Sequence, residues 1–439
     1  MTSPSGSNAP DLREDPAFIR GMTTRRGSGM ASRSGPGMTA RSGSGMTSRR
    51  DALRLFGASA AGLALAACSI PGQGGRGNVT QATIDAFWKG KQGKGHVNWA
   101  NWPGYMQDDR ATIKAFTKDT GIQVTYKEVI QEASEWFGKI QAPLAADQSI
   151  GFDLMVVTTG IQATKCIELG YLAPLDHSRL QRFEKYAGAR FKNQAYDPGN
   201  AFTIPYESGV TGIAYNTKYV KEPITSIAQL FDPKYKGKVG MMGDSQELGN
   251  FGMFAIGVDP QKSTPKDWEA AAHKLREQRS AGIVRKYYEQ NYIDAVTKGD
   301  TWLTMAWSGD VYSLASDEVK FVVPKEGGTL WTDLMMIPKT ASNPVDALTL
   351  MDWLYDPRQN ATLTEFINYV TPVPEAKKYI QADAQAATGD DKADLERLYS
   401  SPLVFPSEAD LAKLRTYRVL TQQEETQYQK IFLPIAQGS

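Results

Sequence analysis

Cysteine is almost absent from this chain of 439 residues, which contains only Cys68 and Cys166. No C-x-x-C pair is present, which excludes the usual thiol redox motif. Cys166 stands in "IQATKCIELG", where it is most simply a small buried apolar residue on a helix. No disulfide is expected, because Cys68 ends an export segment and Cys166 then has no partner.

Histidine and catalytic motifs are equally scarce. The three histidines, His96, His177 and His273, stand in unrelated contexts, and the chain contains no G-x-S-x-G, H-E-x-x-H or Walker pattern. These absences give little support to an enzyme. We therefore expect a binding protein that needs neither a cofactor nor a metal ion.

The chain also lacks a long apolar run near its start, since the stretch from Leu53 to Ala67 is too short to cross a bilayer. It has the shape of a signal peptide, with a short amphipathic helix as the alternative. Arg49 and Arg50 precede it and resemble a twin-arginine export signal. The run ends in "LAAC", which resembles the lipobox of bacterial lipoproteins, in which the cysteine, here Cys68, is lipidated.

These features predict a location and an organisation. Residues 1–67 are expected to be a disordered repeat leader followed by the signal peptide, and residues 68–95 a Gly-rich tether. Translation starts at Met1 or at a later methionine such as Met46. The protein is expected to be lipid-anchored to the outer face of the cytoplasmic membrane, in the periplasm where a second membrane exists.

The chain also lacks a large excess of charge of either sign. Residues 1–67 hold nine Arg and four acidic residues, so 40 of the 49 basic and 44 of the 48 acidic residues remain in the rest, a formal net charge of −4. A mildly acidic protein argues against a nucleic-acid partner, which requires a basic face. It permits a cationic ligand.

What the chain does contain is an alternation of strand-like and helix-like segments after the tether. "HVNWANW" predicts a strand, and the next helix stops at Gly121. Another helix is predicted to have Thr264 as its N-cap and Pro265 at its first position. This alternation predicts an α/β fold with mostly parallel sheets, in which ligands bind beyond the carboxyl ends of the strands.

The predicted strand ends are rich in aromatic and acidic residues. They include Trp102, Tyr105, Asp244, Glu247, Trp307, Asp310, Trp331, Asp333 and Tyr369. Each alone is explained most simply by packing or capping, and Asp244 could cap the helix that follows it. Their repetition at strand ends favours a binding site.

Carboxylates among aromatic rings suit a ligand whose ammonium groups are separated by methylenes. The rings supply an apolar wall and a cation–π attraction of about 0.5–2 kcal/mol each. An unpaired buried carboxylate is costly, so the ligand's charge would be its partner. Asp333, two residues from Trp331, would face such a cation.

From about His96 to about Pro374, the chain resembles the spermidine/putrescine-binding proteins of bacterial polyamine ABC importers. The similar segments are "NWPGYM", "FDLMVV", "IPYESGVTGIAYN", "GDSQELG", "PKEGGTLWTD" and "YVTPVP". The resemblance implies a protein that captures putrescine or spermidine outside the cell and delivers it to the ABC permease of the same importer.

The resemblance also implies roles for individual residues. Asp244 and Glu247 match acids that bind amino groups, and Asp333 matches the principal amine-binding carboxylate. Thr158 retains a hydroxyl of the family's pattern. The matching rings that would line the slot are Trp102, Tyr105, Trp307, Trp331 and Tyr369.

The implied fold is a two-lobe periplasmic-binding-protein fold with hinge strands and a ligand cleft between the lobes. One lobe would comprise residues 96–207 and 333–373, and the other residues 208–332 and 374–439. Asp333 would lie at a hinge crossing, and closure would bring the acids of both lobes to one ligand.

Some positions depart from the family's pattern. The family often has Ser-x-Tyr where this chain has Thr158, Thr159 and Gly160, so an aromatic wall is missing. A family Gln near the C-terminus corresponds to either Gln422 or Gln423.

Two alternatives therefore stay open. The nearer one is a protein of the same fold that binds another cationic or amide-bearing small molecule. The remote one is a secreted hydrolase that uses Asp244, Glu247 and Asp333 as paired carboxylates.

Overall fold

The computed structural model describes residues 79–289 and 291–437. These residues belong to one contact unit, residues 68–439. The predictions of a disordered leader, of an export signal at Arg49 and Arg50 and of lipidation at Cys68 lie outside the described residues.

The described chain alternates strands and helices, as predicted. The strands are β1 His96–Asn101, β2 Gln123–Glu128, β3 Leu154–Thr158, β4 Thr203–Asn216, β5 Val239–Met242, β6 Val284–Tyr288, β7 Leu303–Trp307, β8 Val319–Val322, β9 Gly328–Met336 and β10 Leu414–Arg415. The α-helices are α1 Gln81–Trp88, α2 Ala111–Thr120, α3 Ala133–Ala145, α4 Ile161–Glu168, α5 Gln181–Tyr186, α6 Ser245–Ala255, α7 Pro265–Ser280, α8 Tyr292–Lys298, α9 Ser308–Ser313, α10 Pro344–Trp353, α11 Pro357–Ile367, α12 Ala376–Ala386, α13 Gly389–Ser400, α14 Glu408–Leu411 and α15 Gln422–Gln437. Short 3₁₀ helices lie at His177–Arg179, Ala189–Phe191, Pro198–Asn200, Ile227–Phe231, Pro233–Tyr235 and Pro260–Lys262.

Helix ends follow the predicted signals. Gly121 ends α2 with φ 77°, a left-handed conformation that glycine adopts without a Cβ clash. Thr264 caps α7 in a capping box with Asp267, and Pro265 is its first residue. Both predictions are confirmed.

The strands form one sheet in the order β2-β1-β3-β9-β4-β7-β5-β6, with β10 beside β9 and β8 beside β4. The outer pairs β1–β2, β1–β3, β5–β6 and β5–β7 are parallel. The prediction of a mostly parallel sheet is wrong at the centre, where β9 is antiparallel to β3 and β4, and β4 is antiparallel to β7. The two long strands β4 and β9 pass through the middle of the molecule in opposite directions.

Two hydrophobic halves flank these long strands. In the first half, defined by β1–β3 with α2–α4, α10 and α11, Leu154 and Val156 face one core while Met155 and Val157 face another. This period of two buries both faces of the sheet. The second half is defined by β5–β7 with α6–α8 and α15, and Trp268 is fully buried in its core. A fully buried aliphatic or Phe side chain stabilises such a core by about 1.5–3 kcal/mol.

The segment predicted to be a tether contains α1. Trp88, in its last turn, is buried in the first half and donates its Nε1–H to the carbonyl of Pro174 at 2.8 Å. The prediction of a tether is therefore wrong for Gln81–Trp88, because the apolar side of this short helix packs on the domain.

No helix in residues 79–289 and 291–437 combines the length and apolar character needed to cross a membrane.

Candidate ligand-binding site

A cavity of about 580 Å³ lies where the two halves meet, a volume typical of small-molecule sites. The nine residues predicted from the sequence to form a site all line it. These are Trp102, Tyr105, Thr158, Asp244, Glu247, Trp307, Trp331, Asp333 and Tyr369. Their role in binding a ligand stays a prediction.

The rule that sites follow strand ends explains part of this placement. Trp102 follows β1, and Asp244 follows β5. Trp331 and Asp333 instead lie inside β9, and Tyr369 follows helix α11. For these three residues the prediction of a strand-end position is wrong. Trp331 and Asp333 line the cavity because β9 crosses the middle of the cleft, and Tyr369 lines it from the segment after a helix.

Asp333 lies at the centre of the sheet, between Thr158 of β3 and Glu207 of β4. Its Oδ1 accepts a hydrogen bond from the Thr158 hydroxyl at 2.5 Å, and its Oδ2 accepts one from the Tyr105 hydroxyl at 2.7 Å. The residue is only 2% exposed. Burial raises the pKa of Asp333 to about 6, although both hydrogen bonds act to lower it.

The loop after β1 brings Trp102 and Tyr105 to the cavity. The Trp102 Nε1–H donates to the carbonyl of Val156 at 3.1 Å. The Tyr206 hydroxyl donates to the backbone carbonyl of Tyr105 at 2.6 Å. These bonds fix the indole of Trp102 and the backbone of Tyr105 beside the cavity.

Glu247, in the first turn of α6, is a buried acid of the second half. Its Oε1 accepts from Thr211 at 2.5 Å and from Tyr417 at 2.9 Å, whereas its buried Oε2 has no partner. Burial is the largest cause that raises the pKa of Glu247 to about 7, and the charge of Asp244 adds to it. A buried acceptor without a donor is a position that a ligand N–H can satisfy.

Asp244 has both of the roles considered from the sequence. It is the N-cap of α6, where its Oδ1 accepts from the N–H groups of Gln246 and Glu247, both at 2.9 Å. Its side chain also lines the cavity. Desolvation by the surrounding protein raises the pKa of Asp244 even though its side chain is exposed at the cleft, while the two backbone donors lower it.

Asp310, which was noted in the sequence but not included among the predicted nine, is held by two tyrosines. Its Oδ1 accepts from Tyr369 at 2.6 Å and its Oδ2 from Tyr292 at 2.5 Å. Burial raises the pKa of Asp310, and the two phenol donors lower it. This clamp fixes the ring of Tyr369 at the cavity wall.

The aromatic wall is built from rings that meet edge to face. Trp331 lies 6.4 Å from Trp307 and 5.2 Å from Tyr369 between ring centroids. Two glycines make room for the rings of this wall. A Cβ on Gly209 would lie 2.2 Å from Cζ2 of Trp331, and one on Gly309 would lie 2.5 Å from Cε1 of Tyr369.

The charge of the cavity is of one sign. Among the described residues that line it there are six carboxylates and no Lys, Arg or His side chain. The six are Glu132, Asp244, Glu247, Glu289, Asp310 and Asp333. Such a cavity has a negative potential and attracts cations.

Glu207 is the most unusual residue that the sequence reasoning missed. It lies opposite Asp333 in the β4–β9 pair, is fully buried, and neither carboxylate oxygen has a hydrogen-bond partner. Burial and the neighbouring Asp333 raise the pKa of Glu207 well above its usual value. The sequence shows only an acid inside an apolar strand, which is itself a signal worth testing.

Neither Gln422 nor Gln423, the two candidates for the family Gln near the C-terminus, lies at the cavity. Both are exposed in the first turn of α15. Tyr417 lies there instead, with its hydroxyl on Glu247. The turn of α15 faces solvent, whereas the preceding loop runs along the cleft.

Metal coordination is not a feature of the described part of the chain, where no three His, Cys, Asp or Glu side chains are arranged to hold an ion.

An α/β protein with two hydrophobic halves and an acidic, aromatic cleft between them belongs to the class of two-lobed solute-binding proteins. The chain is a member of the family of bacterial extracellular solute-binding proteins, which it matches over residues 111–388.

Two relatives and one solved structure illustrate the similarity. The chain is 30% identical over 286 residues to the spermidine/putrescine-binding periplasmic protein of Escherichia coli, covering 64% of this chain and 79% of that protein. It is 29% identical over 315 residues to the spermidine/putrescine-binding periplasmic protein 1 of Haemophilus influenzae, covering 71% and 81%. The substrate-binding protein PotD of the spermidine/putrescine ABC transporter of Streptococcus pneumoniae superposes with a TM-score of 0.65 at 24% identity, covering 78% of this chain and 98% of that one. This likeness confirms the predicted two-lobe fold.

Proposed function

We propose that this protein is the substrate-binding component of an ABC importer, which captures a polyamine such as putrescine or spermidine outside the cell and delivers it to a membrane permease. The observation that carries the proposal is the cavity lining of six carboxylates with aromatic rings and no basic side chain among the described residues. The names of the relatives in Escherichia coli and Haemophilus influenzae support the same ligand class. Membership in a family of solute-binding proteins supports binding without chemical conversion.

The proposed lobes are residues 96–207 with 333–373, and 208–332 with 374–439. The separate hydrophobic cores of the two halves support this division. Asp333 then lies on the crossing strand β9, with Asp244 and Glu247 in the second lobe. A ligand between them neutralises carboxylates of both lobes, which stabilises the closed cleft.

The ammonium groups would be placed by Asp333 and Glu247, the two most buried acids among the described residues that line the cavity. One would take the position between Asp333 and the ring of Trp331, and another the unpartnered Oε2 of Glu247. Trp331 and Tyr369 would cover the methylenes between them. The attraction between a buried carboxylate and a cation offsets their desolvation only when the two are in close, hydrogen-bonded contact, which favours a ligand that fills the slot.

Thermal-shift screening tests the ligand class. We expect putrescine, spermidine or spermine to raise the melting temperature, because a ligand that binds only the folded protein stabilises it by mass action. Amino acids and sugars at the same concentration should leave it unchanged. A rise with an amide-bearing or other cationic compound, and none with a polyamine, would assign the cleft to a different solute.

We also propose lipid anchoring through Cys68, motivated by "LAAC" after a short apolar stretch. Stable anchoring of a lipoprotein needs more than one acyl chain. Cys68→Ser should therefore move the protein from the membrane fraction to the soluble fraction, as measured by fractionation and immunoblotting. A variant that stays with the membrane contradicts the proposal.

Export through Arg49 and Arg50 is the companion proposal, based on their position just before the apolar stretch. Replacing both with Lys should leave folded precursor in the cytoplasm. A pulse–chase measurement of precursor processing checks this, with a Lys substitution at Arg41 as the control. Processing of the double variant at the normal rate would indicate a route for unfolded chains.

A further inference from the structure

A smaller cavity, the second pocket, lies on the opposite face of β9 from the acidic cleft. Leu330 and Thr332 line the second pocket, whereas Trp331 and Asp333, which alternate with them along the strand, line the cleft. The other lining residues come from Thr159, Gln261 and the segments 190–196 and 414–416. Its volume of about 160 Å³ lies below the range of about 300–1,000 Å³ for drug-sized ligands. The second pocket is therefore sized for a small ligand.

The charge of the second pocket is opposite to that of the cleft. Arg190 is the one charged side chain among the described residues that line it, and no carboxylate is found there. The cleft, by contrast, is lined by six carboxylates. A guanidinium without an acid beside it gives a cavity a positive potential, which attracts anions.

The guanidinium of Arg190 has no carboxylate partner among the described residues. Its Nη2 donates to the backbone carbonyl of Leu411 at 3.0 Å, which leaves its other N–H groups as free donors. Burial has the largest effect on the pKa of Arg190 and lowers it, while the charge of Glu408 raises it and that of Arg415 lowers it. Neither Glu408 nor Arg415 lines the pocket. A half-buried guanidinium with free donors suits an oxyanion, whose geometry its planar fork matches.

Two threonine hydroxyls that line the second pocket also keep an unused hydrogen. The Thr159 hydroxyl accepts from the backbone N–H of Thr332 at 3.0 Å. The Thr416 hydroxyl accepts from Nε2 of Gln261 at 2.8 Å. A hydroxyl that accepts one hydrogen bond can still donate its own hydrogen. The pocket therefore combines a positive charge with neutral donors.

We propose that the second pocket binds a small oxyanion, either a carboxylate or a phosphate group, through the guanidinium of Arg190 and the hydroxyls of Thr159 and Thr416. The guanidinium can form two parallel hydrogen bonds with either group. The site goes beyond the proposed function and does not rest on it, because the second pocket and the cleft attract charges of opposite sign.

Melting temperatures of the purified full chain, measured against anion concentration, test the site. Sodium acetate and sodium phosphate are titrated separately, with sodium chloride keeping the ionic strength constant. We expect a saturable rise with at least one of them, because a ligand that binds only the folded protein stabilises it by mass action. A response to acetate alone assigns the site to carboxylates, a response to phosphate alone assigns it to phosphate groups, and a response to both assigns it to small oxyanions in general. The carboxylates of the cleft repel all of these anions, so the response reports on the second pocket.

Substitutions in the pocket should weaken the response. Arg190→Gln should lower the apparent affinity for the anion by about ten- to a hundredfold, the effect of losing hydrogen bonds to a charged group. Thr416→Val, which keeps the shape and removes one hydroxyl, should lower it by about three- to tenfold. The matched control is Arg276→Gln on α7, which removes the same charge and a hydrogen bond to the carbonyl of Ile431 outside the pocket. It should keep the full response.

Two results would overturn the site. One is the lack of a saturable rise with either anion. The other is a rise that Arg190→Gln and Arg276→Gln retain alike, which is the general effect of salts excluded from the protein surface. If Arg190→Gln fails to fold without its bond to Leu411, Thr416→Val tests the same pocket with that bond intact, and an unchanged affinity in it contradicts the proposal. A failure of polyamines to bind contradicts the proposed function alone.

Discussion

Asp333→Asn should weaken polyamine binding by about thirtyfold to several thousandfold. The substitution keeps the shape of the side chain and removes its charge, so a ligand ammonium in the cleft loses its buried partner. Loss of a buried, hydrogen-bonded charge pair typically costs roughly 2–5 kcal/mol. Isothermal calorimetry with spermidine on the wild type and on the variant measures the difference.

The same variant should fold as well as the wild type or better. Asp333 is 2% exposed, and burial opposes its ionisation, so the ligand-free protein carries an unneutralised carboxylate near neutral pH. An amide removes that cost and can still bond to Thr158 and Tyr105, because either hydroxyl can rotate to donate or accept. The melting temperature without ligand is therefore expected to hold or rise.

Glu207→Gln is the matched control, since Glu207 is the acid paired with Asp333 across β4 and β9 but does not line the cavity. It should leave polyamine affinity unchanged while raising the melting temperature. If Asp333→Asn instead lowers the melting temperature and leaves affinity intact, Asp333 has a structural role and the proposed site is wrong.

Polyamine affinity should fall by up to about a thousandfold between pH 8 and pH 5. Burial raises the pKa of Asp333 to about 6 and that of Glu247 to about 7 in the ligand-free protein. If bound ammonium groups keep both carboxylates ionised, protonation at pH 5 opposes binding by about tenfold for Asp333 and about a hundredfold for Glu247. Calorimetry in two buffers with different ionisation enthalpies should detect protons released on binding near pH 6. Affinity that is constant over this range, with no proton release, contradicts this account of the two acids.

The stability of the ligand-free protein should change in the opposite direction. Both pKa values are raised in the folded state, so the contribution of these groups is fully present below about pH 4 and is lost as the pH rises through about 6 and 7. The contribution of Asp333 and Glu247 to the melting temperature of the ligand-free protein therefore falls from pH 5 to pH 8. Comparing the pH dependence of the melting temperature between the wild type and Asp333→Asn isolates the contribution of Asp333.

Local patterns in the sequence were sufficient to predict several helix ends and site residues. Gly121 and Thr264 mark helix ends because capping depends on residues within one turn. Asp244 and Trp102 were placed at the cleft because they follow strands. The resemblance to the polyamine-binding family added Trp331 and Asp333, whose position inside β9 no strand-end rule predicts.

Other features depend on contacts between distant segments, which a single sequence does not encode locally. The antiparallel direction of β4 and β9 arises from their crossing of both halves. Gln246 reads as an ordinary helical residue, and only the fold brings it 2.8 Å from the N–H of Ile161. Glu207 reads as an acid in an apolar strand, and its lack of a hydrogen-bond partner depends on neighbours from several elements. Tyr417 reaches the cavity from a loop with no pattern of its own.

Charge recognition is the central claim, and one calorimetric comparison tests it most directly. The protein is titrated at pH 7.5 with putrescine and spermidine and, separately, with 1,4-butanediol, which has the length of putrescine but no charge. An acidic cavity without a basic side chain among its described lining residues predicts saturable binding of a polyamine and none of the diol. Binding of the diol as tightly as putrescine, or no binding of any polyamine by the folded protein, would contradict the account.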